Sequence, residues 1–173
     1  MKSKMSNDSD YSLDQAILGS ELLGGSSRLG RVTWLSKHLR ENDLYLLQDG
    51  AFSKLLFTEV LETFVGGQLI ATIILGFSLI ERTIAGRLYF LGENNVEKMR
   101  GEALLNAALQ KEWLTTEEHK LLNELRKLRN PFVHFHDPQA NTRPEARAAT
   151  QILESDAKRF LETTIHVLKK TAL

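Results

Sequence analysis

The sequence predicts an all-α protein, a helical bundle with extra helices on its N-terminal side. Three observations predict it. Apolar residues recur every three or four positions along most of the chain, the recurring stretches stop at glycine or proline, and no stretch alternates apolar with polar residues as a strand does. At 173 residues the chain can bury one good core and leaves little room for a second. Its 42% hydrophobic and 25% charged residues are the balance of a folded globular protein rather than a disordered or fibrous one.

Residues 1–10 are polar and read as a tail, without the apolar run of a secretory signal. Residues 11–50 read as an N-terminal helical extension. A short helix over about 12–23 stops at Gly24-Gly25-Ser26-Ser27, a linker or cap, and helical periodicity resumes over about 30–48. The bundle proper spans 51–173. Its first helix, about 52–64, sets Leu55, Leu56, Val60 and Phe64 at helical spacing, and Gly66-Gly67 makes a bend. The next, about 68–91, carries Ile70, Ile73, Ile74, Phe77, Ile84 and Leu88 and stops at Gly92-Glu93-Asn94-Asn95. An amphipathic piece covers about 96–111, and Thr115-Thr116-Glu117-Glu118 supplies the Thr and Glu of a capping box for a helix ending near Arg129. Asn130-Pro131 is expected to break that helix and to cap a new short turn, because an interior proline clashes with the preceding turn. Thr142-Arg143-Pro144-Glu145 then starts a last helix that runs to about Lys170.

The 22 basic and 22 acidic side chains cancel, so any nucleic-acid contact must come from local clustering rather than bulk charge. With no cysteine there is no disulfide scaffold, thiol nucleophile or cysteine-ligated metal, which suits a reducing compartment and points to the cytoplasm. Residues 63–80 carry no charge over 18 positions, close to the ~20 needed to span a bilayer. Glycine, glutamine, threonine and serine dilute that stretch, and its apolar stripe continues through Glu81 and Arg82, so it reads as a buried central helix and no membrane partner is expected.

Two charged residues interrupt apolar stripes. Arg129 lies four residues after Leu125 and seven after Leu122, in line with the inward stripe of Leu121, Leu122, Leu125 and Leu128, whereas Arg126 and Lys127 are expected to project elsewhere. Glu81 lies four residues after Phe77 and three before Ile84. An inward arginine and an inward glutamate are each costly alone, and pairing satisfies both. That pair could simply join two helices, or it could aim Arg129 at a cleft. His134 follows Arg129 by five residues, which on an unbroken helix rotates it about 140° away. The break expected at Pro131 would let the imidazole return toward the guanidinium, placing a titratable group beside a fixed cation in a way that suits phosphate chemistry.

The segment Leu128-Arg129-Asn130-Pro131-Phe132-Val133-His134 resembles the Arg-x4-His signature of HEPN domains in its form with Asn after Arg. The helix bearing Ile80-Glu81-Arg82 is similar to the second helix of many prokaryotic HEPN proteins, and the likeness covers about 51–173. The resemblance implies an up-and-down helical bundle and a metal-independent endoribonuclease that works as a homodimer on RNA. Such proteins are often toxins or phage-defence effectors under an antitoxin or defence-system partner. It further implies Arg129, His134 and Asn130 as catalytic residues, with Glu81 and His136 supporting them, and no cofactor or metal. Arg126 and Lys127 are candidate RNA contacts; over residues 120–147 six Lys or Arg face three Asp or Glu, a net of +3.

Other readings of these residues stay open. His134 and His136 could share a metal on an extended backbone, although no third or fourth ligand presents itself nearby. The chain could also be a catalytically silent HEPN module that binds RNA, a nucleotide or a partner protein. His38, His119 and His166 read as surface or structural histidines. Trp34 and Trp113 could stack bases but are as well placed to anchor helices.

Overall fold

The computed structural model describes residues 26–39, 50–133 and 150–171, and among these every regular element is helical. The helices are α1 (Arg28–His38), α2 (Ala51–Val65), α3 (Leu69–Phe90), α4 (Gly101–Gln110), α5 (Thr116–Val133) and α6 (Thr150–Thr171), with a 3-10 turn at Val96–Lys98. The expected helix over 12–23, the tail 1–10 and the Thr142–Glu145 cap lie outside the described residues.

The centre is α3. By length and composition it could cross a membrane. Here ten of its residues are buried, and α2, α4, α5 and α6 all pack on it. Burial on several sides explains why its sequence is apolar nearly all round, since a helix covered on one face alone needs only one apolar stripe. Its serine and threonine side chains are short and locally satisfied. Thr72, Ser78 and Thr83 donate to the carbonyls of Gln68, Ile74 and Leu79 at 3.1, 2.9 and 2.8 Å. Phe77 meets Phe160 of α6 edge-on at 6.4 Å, and Leu122 and Leu125 of α5 are fully buried in the same core. The stripe expected for these helices holds at Ile73, Phe77, Ile84, Leu88, Leu56, Val60 and Phe64, whereas Leu55 and Ile70 are exposed.

The bend between α2 and α3 forms at Gly66-Gly67. Gly67 has φ +78°, and the N–H groups of Gly67 and Gln68 bond back to the carbonyls of Phe64 and Thr63 at 3.0 and 2.8 Å. This is a Schellman closure, which needs a residue in the left-handed region. A Cβ on Gly67 would also meet the guanidinium of buried Arg31 at 2.9 Å. That arginine donates to Val65 O at 3.1 Å and to Ser26 O, tying α1 to the end of α2. The same closure ends α3 at Gly92, as the sequence indicates.

Three expected boundaries differ. The helix expected over 30–48 stops at His38, where Leu39 turns extended (φ −110°, ψ 121°) and packs on the core, and residues 40–48 lie outside the described residues. The expected piece over 96–111 divides. Asn95 in the left-handed region starts the 3-10 turn, and Met99 and Arg100 run extended before α4. The break expected at Asn130-Pro131 does not occur, because α5 continues through Pro131 to Val133. The ring's fixed φ is itself helical, and the one hydrogen bond that proline forfeits is to the carbonyl of Lys127, an exposed residue that water can serve.

Histidines serve as helix ties. His38 stacks on Trp34 at 4.0 Å and reaches Glu162 of α6 at 3.2 Å, while His119 sits between Asn106 and Asn123. Trp34 packs against Phe64, and Trp113 lies under the Arg87 guanidinium at 4.3 Å, so both tryptophans anchor helices.

The capping box forms as expected. Thr115 Oγ1 accepts from the Glu118 N–H at 3.2 Å, and Glu118 accepts the Thr115 N–H at 2.7 Å. Glu118 also binds His166 Nε2 at 2.6 Å and Lys170 Nζ at 2.8 Å, joining the start of α5 to the end of α6. Partial burial works to raise the pKa of Glu118, but the bonds from Lys170, Thr115 and His166 together bring it down from 4.5 to about 2. A carboxylate whose folded pKa is depressed contributes stability above its unfolded pKa and loses that contribution as pH falls. Urea unfolding between pH 5 and 2 should therefore show the wild type losing stability more steeply than Glu118→Gln from about 4.5 to 2. Parallel curves in that window would remove Glu118 as an acid-sensitive clasp.

Candidate functional site

The charge-free run of α3 stops at Ile80, and Glu81 and Arg82 follow at the point where α4 and α5 converge on it. A cavity of about 770 Å³ opens there, with four arginines (Arg82, Arg100, Arg126, Arg129) and three glutamates (Glu81, Glu97, Glu102) in its wall, beside Asn130.

Glu81 and Arg129 meet as their helical register requires. Arg129 Nη2 donates to Glu81 Oε2 at 3.3 Å, with the side chains 14% and 24% exposed respectively. The guanidinium lies over the Phe77 ring, 4.9 Å from its centroid, so the core supports it on one side while Nη2 reaches the carboxylate. Among the described residues, Arg129 Nε is buried without an acceptor. The pair is long and single-pointed, far from the two parallel bonds of a strong arginine–carboxylate fork. Burial accordingly dominates Glu81: its pKa is raised above 4.5 although Arg129, Arg126 and Arg100 all act to lower it.

Arg126 was expected to point away, and the structure corrects this. Its side chain turns into the same cavity, where Nη2 donates to Glu102 Oε2 at 2.8 Å and Nε to Asn123 Oδ1 at 3.3 Å. The reason lies in α4, which supplies a carboxylate at its first turn that no reading of α5 alone could reveal. Lys127 is exposed and does not line the cavity. Asn130 lines it, whereas His134 and His136 lie outside the described residues. The expectation that a kink at Pro131 returns His134 toward Arg129 loses its premise, since α5 is continuous there.

Sequence reasoning missed Arg100, Glu102 and Gly101. Gly101 opens α4 against Glu81 so closely that a Cβ would collide with the carboxylate Oε1 and approach Arg126 Cδ at 3.3 Å. A glycine at the first position of a helix, where alanine is intrinsically better, is the local signal that something must approach there.

Chemically the wall suits an anion of phosphate type. Arginine presents flat arrays of N–H donors that stay charged at any physiological pH. The guanidiniums of Arg126 and Arg129 are held in place by carboxylates, which fixes their direction. Among the described residues no group of three or more His, Cys, Asp or Glu could hold a metal ion. No protein-family model matches the chain, and neither does any curated protein or solved structure.

The raised pKa of Glu81 carries a definite sign. The folded protein keeps that proton to higher pH than the unfolded chain, so the native state loses stability as pH rises from 4.5 through the folded pKa. Glu81→Gln removes this loss, and the variant should overtake or approach the wild type in urea midpoint as pH is raised from 4 to 8. A difference between the two proteins that does not change with pH would show that the carboxylate is not desolvated.

Proposed function

We propose that the chain is a metal-independent endoribonuclease of the HEPN type with that family's up-and-down bundle, acting in the cytoplasm as a homodimer on RNA. A toxin or phage-defence role under an antitoxin or defence-system partner fits the same reading. The observation that carries it is the seating of Arg129, the first residue of the Arg-x4-His segment, on Glu81 in an arginine-walled cavity that also takes in Asn130. A motif arginine that is aimed by a carboxylate into a cleft is what phosphoryl chemistry requires; one dispersed in solvent would not serve.

The chemistry follows from the side chains. A ribose 2′-hydroxyl attacks its own 3′ phosphorus, the bond to the 5′ oxygen breaks, and a 2′,3′-cyclic phosphate and a 5′-hydroxyl result. His134 takes the proton from the attacking hydroxyl or gives one to the leaving oxygen, and the second motif of a dimer can supply the complementary step. Arg129 stabilises the charge that builds on the phosphoryl oxygens, and Asn130 orients the phosphate or the histidine. Glu81 holds Arg129, His136 assists beside the cleft, and Arg126 and Lys127 contact the strand.

One observation favours a second reading. The Arg129 guanidinium is largely buried against Phe77, as a structural polar core would have it. A catalytically silent HEPN module that binds RNA, a nucleotide or a partner protein would keep the same pair.

Purified protein should cut single-stranded RNA in the presence of a chelator, leaving cyclic phosphate ends. His134→Ala and Arg129→Ala should each reduce cutting by at least the roughly 100-fold typical of a lost acid–base or charge-stabilising group while helical content stays unchanged. Full activity in either variant would sink the mechanism, and RNA binding without any cutting by the wild type would select the silent module. Light scattering should give a dimer at micromolar concentration.

A further inference from the structure

The cavity does not end at the arginines. A second hollow of about 390 Å³ continues from it along α3, sharing Arg82, Ala85, Val96 and Glu97 as wall and adding Gly86, Tyr89 and Phe90. Positions 82, 85, 86, 89 and 90 are one face of α3 by helical spacing. Two small residues, Ala85 and Gly86, form its low middle, and two aromatics stand at its far end. Tyr89 and Phe90 are 72% and 65% exposed, with ring centroids 6.3 Å apart and planes at 74°. Large exposed aromatics set beside a low floor offer a platform for a flat ring.

Taken with the reading of the chain as an RNA-binding protein, on which this inference rests, we propose that Tyr89 and Phe90 form a nucleobase-stacking subsite for the base next to the phosphate held at Arg126 and Arg129. Continuity selects this occupant. The aromatic hollow and the arginine cavity share four residues, and Tyr89 lies eight residues beyond Glu81, about 12 Å along the helix. One short strand can therefore place a phosphate in the first and a base in the second. Stacking on aromatic rings is tolerant of base identity, so this subsite supplies affinity and register rather than sequence choice. Glu97 at the shared rim adds an acceptor for a base amino group.

The test measures binding of full-length protein to a fluorescent 2′-O-methyl RNA decamer, which cannot be cut, and to a decamer of the same backbone without bases. In the double variant Tyr89→Ala/Phe90→Ala, affinity for the decamer with bases should fall roughly 5- to 150-fold, with little change for the abasic strand. Tyr89→Trp should retain the affinity, and Arg129→Ala should weaken binding of both strands. Equal binding of both strands by the wild type, or an undiminished affinity in the double variant, overturns the subsite. If the double variant instead turns a dimer into monomers in sedimentation while each chain binds RNA as before, the surface is a self-interface and the subsite is overturned. Cleavage of unmodified RNA, assayed in parallel, is a separate readout: activity with no base-dependent binding ends the subsite alone, whereas neither activity nor binding ends both.

Discussion

The packing of α3 on four other helices is the constraint on which the rest depends. A 22-residue helix with ten buried residues needs several neighbours, and α2, α4, α5 and α6 all pack on it. Charges begin at Glu81 and Arg82, and both line the cavity that α3 shares with α4 and α5. The site borders the core: Phe77, a core residue, is also the surface on which the Arg129 guanidinium rests.

How much of this was legible in the sequence follows from the range of each interaction. Local signals were readable. Gly66-Gly67 and Gly92 mark helix ends through a backbone conformation that depends on a few adjacent residues, and the Thr115–Glu118 box is likewise self-contained. The Glu81–Arg129 pair was readable for a different reason: each interrupts an apolar stripe, and a buried charge demands a partner of opposite sign. The reach of Glu118 to Lys170 and His166, 52 and 48 residues away, left no local trace.

The failures are as regular. Proline costs a helix one hydrogen bond, and at Pro131 the carbonyl left without it belongs to Lys127, an exposed residue, so the loss is a small matter. Arg126 was assigned outward because the α5 stripe has no place for it. Its direction is set by Glu102, which belongs to another helix, and by the extended Met99-Arg100 that brings α4 into position. A helix reports its own inward face through periodicity, but a polar side chain on the border of that face goes wherever its partner stands.

The pocket's carboxylates then decide what an anion would encounter. Glu102 is 64% exposed and can swing from Arg126 into water at small cost, since surface pairs contribute about 0–1 kcal/mol. Glu81 stands deeper: it is 24% exposed, it is bonded to Arg129, and Gly101 lies against it from α4. An anion entering this cavity would therefore meet Glu102, the more exposed of the two paired carboxylates, before Glu81. Gly101 and Glu102 both belong to the first turn of α4, so that turn borders a cluster whose cations lie mostly on other elements.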